Sequence, residues 1–302
     1  MTAFRDHQMP VIEINNLSRR FAHKTALDGI SLSIPRGQVF GIVGENGAGK
    51  TTTIKHMLGM LKAQEGQVRT FGLDPVAAPR EVLARIGYLS EDPDLPGWMN
   101  LEELCYYLSA FYPNWDQAYA KELIKAFDLN PKIKIKKLSK GQRARAGLVT
   151  AQAHRPDLLL LDEPSSGLDP IVRRDILGAV IRTVVDEGRT VVFSSHLLDE
   201  VERVSDQVAM VRRGRIVLSD TLDNILEGHH FINLSFAEAG EPPQLPGQLS
   251  KQGEGCHWRL LCQGSLDVLR AAAASSGAQW VNHHGASLDE IFVALAANGK
   301  GA

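Results

Sequence analysis

The run Gly44-Glu45-Asn46-Gly47-Ala48-Gly49-Lys50-Thr51 follows an apolar stretch at 38–43 and opens a stretch of helical pattern at 50–61. It meets every position of the pattern G-x-x-x-x-G-K-[ST]. The glycines let backbone amides turn inward around phosphate oxygens, and the helix that follows aims its positive N-terminus at the same anion. Such a loop needs a buried strand before it and a helix after it, so it commits this part of the chain to an α/β fold. Lys50 is placed to reach the β- and γ-phosphates of a nucleotide, and the Thr51 hydroxyl to hold Mg²⁺. Gly44, Asn46, Gly47, Gly49 and Thr52 complete and support the cradle.

A second apolar run, Leu158-Leu159-Leu160-Leu161, ends in Asp162-Glu163-Pro164. A buried strand there delivers two carboxylates at its end. Asp162 is expected in the shell of Mg²⁺, and Glu163, one residue on, is placed to orient or deprotonate a water attacking the γ-phosphate.

Strands are expected at 11–15, 30–34, 38–43, 67–71, 86–89, 158–161, 190–194, 207–211 and 216–219, with a short helix at 81–85. Between 101 and 153 the pattern is helical with no clear strand, which suggests an inserted helical subdomain. Strands that alternate with helices argue for a mainly parallel sheet covered on both faces. After about residue 226 the texture changes. The loop-forming stretch 240–247 is surrounded by short strands at 231–236, 257–262 and 279–282 and helices at 266–274 and 288–296. The expected domains are 10–227, with the helical subdomain at about 98–155, and a small α+β domain at 228–302.

The net charge of −2 gives no general basic field for a nucleic-acid partner. Cys105, Cys256 and Cys262 are odd in number and lack CxxC spacing, so they read as free thiols in a reducing compartment. No stretch approaches the roughly 18 apolar residues of a membrane span, and Arg5, Asp6 and His7 before Pro10 leave no apolar core for a signal peptide. The expectation is a cytosolic protein whose membrane partner, if it has one, is a separate chain.

Leu138-Ser139-Lys140-Gly141-Gln142 resembles the LSGGQ signature of ATP-binding-cassette (ABC) ATPases, with Lys140 in the third position. The resemblance covers roughly residues 10–226. It implies a P-loop NTPase (RecA-like) fold, in which a mainly parallel sheet core carries an antiparallel β subdomain and an inserted helical subdomain. It also implies ATP and Mg²⁺ as cofactors and a head-to-tail dimer with two ATP molecules between the subunits. Ser139, Gly141 and Gln142 of one subunit would serve the γ-phosphate held by the other. Ser139 also has the character of a helix N-cap, which puts amides and a dipole toward an anion.

Other positions follow from the same resemblance. Phe21 matches the aromatic that stacks on adenine, although a place in the core of the first sheet suits it equally. Asp169, in Ser166-Gly167-Leu168-Asp169, matches the loop that links the two sites of the dimer. His196 matches the switch histidine that touches the γ-phosphate. Glu91 stands where the family usually has a glutamine that contacts Mg²⁺ and the attacking water. A glutamate keeps an oxygen for the metal but adds a negative charge, so Glu91 is expected to keep the role with altered coupling.

Weaker signals stay open. Trp98 and Met99 suit either a docking surface for a membrane subunit or packing under the helical subdomain. The basic run from Lys132 to Arg145 reads first as a solvated face, and the pairs His229-His230 and His283-His284 lack a metal-binding constellation. The terminal helix at 288–296 either packs locally or supports dimerisation. The functional expectation is an ATPase subunit that powers a membrane transporter of exporter type, working with a separately encoded integral-membrane permease and a second ATPase subunit, either identical or different. It would sit on the cytoplasmic face of the membrane. The alternative is a soluble ABC ATPase acting on ribosomes or DNA, but the chain has neither the second cassette nor the long coiled coil usual in those relatives. A P-loop kinase or GTPase would leave the signature and Asp169 unexplained.

Overall fold

The computed structural model describes residues 9–185 and 188–298. Arg5, Asp6 and His7 lie outside the described residues. The chain divides into two compact units, 1–218 and 219–302.

The first unit begins with β1 (Ile12–Phe21) and β2 (Lys24–Ile34), followed by β3 (Val39–Val43), α1 (Lys50–Met57) and β4 (Glu65–Thr70). β2, β1 and β4 form an antiparallel sheet in that order. After α2 (Pro79–Leu83) and β5 (Ile86–Leu89) comes the helical insertion: α3 (Leu101–Ser109), α4 (Gln117–Ala126), a 3-10 turn at Ile135–Lys137 and α5 (Lys140–Gln152). β6 (Leu158–Asp162), α6 (Pro170–Val185), β7 (Thr190–Ser195), α7 (Leu198–Val204), β8 (Gln207–Arg212) and β9 (Arg215–Thr221) follow. The main sheet has the order β5-β6-β7-β3-β8-β9, and β5 to β8 pair in parallel. Every residue of β3, β6 and β7 is buried, as a sheet covered on both faces requires. Ile12, Leu17 and Ile30 of the antiparallel sheet share one core with Ile54 and Met57 of α1 and with Phe40, Ile42 and Val192 of the main sheet.

Each helix of the insertion starts on a side-chain cap. Asn100 forms a capping box with Glu103, and Asp116 accepts from the Tyr119 amide at 2.9 Å. Ser139 forms a second capping box with Gln142. His154, just past α5, ties this block to the main sheet. Its Nε2 lies 3.0 Å from the Ile86 carbonyl oxygen, and its ring stacks on Tyr112 with centroids 4.0 Å apart.

Burial pushes the His154 imidazole down to about 4. The unfolded chain therefore takes up this proton first as the pH falls below its ordinary value of 6.5, so stability is full above that pH and is lost towards pH 4. The loss from this one group is at most about 3 kcal/mol. Urea unfolding of the His154→Gln variant, which keeps an amide donor for Ile86, is expected to show a flatter decline between those pH values than the parent. An unchanged decline would show that His154 does not titrate on unfolding.

The second unit holds α8 (Leu222–Glu227), β10 (His229–Ser235), β11 (Gln248–Glu254), β12 (His257–Gln263), α9 (Leu266–Ser275), β13 (Gln279–Gly285) and α10 (Leu288–Asn298). Its four strands form an antiparallel sheet in the order β11-β12-β10-β13. Ile232, Leu234, Leu260 and Cys262 of the sheet pack with Leu269 and Ala273 of α9.

Candidate active site

β3 runs into the glycine-rich loop at the centre of the main sheet, and two glycines there are dictated by space. A Cβ at Gly44 would lie 2.2 Å from the Val211 carbonyl oxygen. Gly49, at φ 119°, caps α1, and a Cβ there would lie 2.8 Å from the Ala26 carbonyl oxygen. With no side chain capping α1, its first amides stay available to an anion.

Lys50 is 5% exposed. Its Nζ donates to the carbonyl oxygens of Gly44 at 2.5 Å and Glu45 at 3.2 Å, and lies 2.9 Å from Glu163 Oε1. Glu163 Oε2 accepts from His196, at 2.7 Å from Nδ1 and 3.3 Å from the backbone amide. One carboxylate thus touches the cradle lysine with one oxygen and the end of β7 with the other. Glu163 itself has φ 49°, a left-handed conformation that costs a non-glycine residue about 1–3 kcal/mol and persists only where the surroundings hold it.

Part of that hold comes from Ser194, which register places opposite Asp162. The Ser194 hydroxyl accepts from the Glu163 amide at 2.9 Å and donates to Asp162 Oδ1 at 2.7 Å. Thr51 Oγ1 donates to the same Asp162 oxygen at 3.1 Å. Burial raises the Asp162 carboxyl above its ordinary value; the Ser194 and Thr51 hydrogen bonds oppose this, the neighbouring Glu163 charge adds to it and Lys50 opposes it. Thr51 and Asp162 offer converging hard oxygens. No group of three or more metal-holding side chains occurs among the described residues, so a cation here would depend on substrate and water oxygens, the usual habit of Mg²⁺.

An open cleft collects much of the expected set. Its walls include Phe21, Asn46, Gly47, Gly49, Lys50, Thr51, Thr52, Glu91 and Glu163. Phe21 is 43% exposed and so is not a core residue. Its exposure follows from the β1–β2 hairpin, where Phe21 pairs with Lys24. Lys24 and Ala26 also line the cleft and were not anticipated, nor was Ser194. Residues that close a hairpin or end a strand carry no sequence motif of their own.

Ser139, Gly141, Gln142 and Asp169 are not among the residues lining this cleft. Ser139 Oγ accepts from the Gln142 amide at 3.2 Å, and Gln142 Oε1 accepts from the Ser139 amide at 3.0 Å. Gly141 is buried, and a Cβ there would lie 2.8 Å from the Val172 side chain. Asp169 caps α6, accepting from the amides of Ile171 at 3.0 Å and Val172 at 3.1 Å. The signature is therefore fixed by a capping box at the start of α5 and does not line its own chain's cleft.

The family described as ABC transporter matches residues 27–166, from β2 to just past the carboxylate pair. The daunorubicin/doxorubicin resistance ATP-binding protein DrrA of Streptomyces peucetius is 32% identical over 315 aligned positions, covering 94% of this chain and 92% of the relative. This chain is an ABC ATPase. The cassette is also 33% identical to the ABC transporter ATP-binding protein NatA of Bacillus subtilis (strain 168), covering 75% of this chain and 96% of that one. A solved ATP-binding subunit of an ABC transporter superposes with a TM-score of 0.65 at 28% identity, covering 71% of this chain and 91% of the other. The P-loop α/β fold, with its antiparallel and helical additions, is that of the family. Phe21, Asp169 and His196 lie outside the matched stretch 27–166.

Proposed function

We propose that this ABC ATPase works as one half of a head-to-tail dimer that powers an exporter, on the cytoplasmic face of the membrane and with a separate permease. The observation that carries the catalytic part is the Lys50–Glu163–His196 constellation, in which a buried carboxylate is held between the phosphate cradle and the end of β7. In this reading Lys50 and the loop amides hold the β- and γ-phosphates of ATP, and Phe21 stacks on adenine. A γ-phosphate would compete with Glu163 for Lys50. Glu163, released from that pair, orients the attacking water and accepts its proton. His196 then faces the γ-phosphate, and Glu91 stands at the mouth of the cleft. Thr51 and Asp162 would hold Mg²⁺, which when bound neutralises phosphate charge.

Ser139, with Gly141 and Gln142, would complete the site of the partner subunit, and Asp169 would link the two sites. The rigid cap at Ser139 and its place away from the chain's own cradle support this. Residues 10–227 are assigned to ATP work and 228–302 to an appended domain. The likeness to a drug-resistance ATP-binding protein runs through 94% of the chain, beyond the cassette, and supports export. For the permease, we assign the exposed aromatic surface of the helical insertion: Trp98 is 70% exposed, Tyr106 81% and Phe111 63%, while Met99 packs inside.

A complementation assay tests the shared site. Glu163→Gln and Ser139→Arg proteins are each expected to be inactive alone. Mixed, they should release phosphate again, because a mixed dimer joins an intact Glu163 from one copy to an intact Ser139 from the other. A mixture that exchanges subunits and stays inactive contradicts the reading.

A further inference from the structure

Glu200 on α7 is a carboxylate only 4% exposed, and no ion pair to it occurs among the described residues. Its Oε2 accepts from Ser165 Oγ at 2.5 Å and from Ser195 Oγ at 3.4 Å, while Oε1 is buried without a hydrogen-bond partner. The two serines flank the two key residues of the site, Ser165 in the turn after β6 and Ser195 as the last residue of β7. Ser165 lies two residues beyond Glu163, and Ser195 directly precedes His196. Ser195 Oγ also accepts from the Leu197 amide at 3.0 Å. Neighbouring residues of a strand face opposite sides. Ser194 therefore joins the ends of β6 and β7 on one side of the sheet, and on the other Glu200 joins Ser195 to Ser165, three residues beyond the end of β6.

Glu200 shares a groove with Arg173, Arg174 and Arg203 but pairs with none of them among the described residues. A buried carboxylate without a direct ion pair is costly, and an apolar residue of similar volume would fill the space more cheaply. Glu163 needs an outside hold, because its backbone sits at φ 49°. We propose that Glu200 is a positioning residue for hydrolysis. It locks the Glu163 turn to the His196 turn, so that the Glu163 carboxylate meets the attacking water at a fixed place. The proposal rests on the reading of Glu163 as the group that activates this water.

The test is steady-state MgATP hydrolysis by the full-length protein, with ATP affinity measured separately. Glu200→Leu is expected to lower kcat by about 10–100-fold, the scale of a small misplacement of a reacting group, with KM and ATP affinity within about twofold. Glu200→Gln keeps an oxygen that accepts from both serines and should stay within about threefold of the parent kcat. Should Glu200→Leu fail to fold, the Ser165→Ala/Ser195→Ala variant severs the same links with the carboxylate in place, and the same selective loss of kcat is expected. An unchanged kcat, a fall in kcat with an equal rise in KM, or a Gln variant as impaired as Leu would each overturn the proposal. The two readings separate cleanly. If Glu163→Gln hydrolyses at the parent rate, the assignment of Glu163 fails. If Glu163→Gln is inactive while Glu200→Leu is normal, only the positioning role fails.

Discussion

Replacing Lys50 with methionine is expected to weaken ATP binding by about 10–100-fold, the worth of one charge-assisted contact to phosphate, and to destabilise the protein at the same time. The second effect is the less obvious one. Lys50 and Glu163 are 5% and 8% exposed as side chains and lie 2.9 Å apart. Among the described residues, removing the cation leaves a buried carboxylate held by the ring and the backbone amide of His196. Breaking a buried pair from one side costs about 3–5 kcal/mol, and the remaining contacts place this case at the lower end. The double variant Lys50→Met/Glu163→Gln removes both charges and should recover stability without recovering ATP binding. Urea unfolding and titration calorimetry separate the two effects. A single variant as stable as the parent would show that the pair is well solvated.

Glu163→Gln is expected to lower kcat by about 10²–10⁴-fold, the range supplied by a positioned acid–base group. The amide keeps the shape of the side chain but loses the basicity and charge. ATP affinity should stay within a few-fold of the parent or improve, because a neutral residue no longer competes for Lys50. Single-turnover hydrolysis reads the chemical step directly. A loss of affinity as large as the loss of rate would mean that Glu163 serves binding and not chemistry.

The central strands were legible because their burial on both faces leaves unbroken apolar runs such as Leu158 to Leu161. Elements with mixed faces were harder. β1 and β2 extend to Phe21 and start at Lys24, well beyond the expected 11–15 and 30–34, because register shifts between Ile14 and Leu17 and between Leu17 and Arg19 break the alternation. β11, Gln-Leu-Ser-Lys-Gln-Gly-Glu, has no fully buried residue and was missed. α1 stops at Met57, short of the expected residue 61, with Gly59 at φ 72° just beyond it.

The site divides in the same way. Lys50, Thr51, Asp162 and Glu163 sit in contiguous motifs whose spacing already implies their geometry. Ser194 and Glu200 act only through strand register and helix packing. Their side chains are ordinary residues until β7 is laid beside β6.

In the proposed mechanism ATP joins two copies of this cassette through the Ser139 signature. Light scattering of purified Glu163→Gln protein, with and without ATP, tests it most directly. The expected result is a monomer without nucleotide, a stable dimer with ATP, and loss of that dimer when Ser139→Arg is added. A Glu163→Gln protein that binds ATP tightly yet stays monomeric at all concentrations would contradict it.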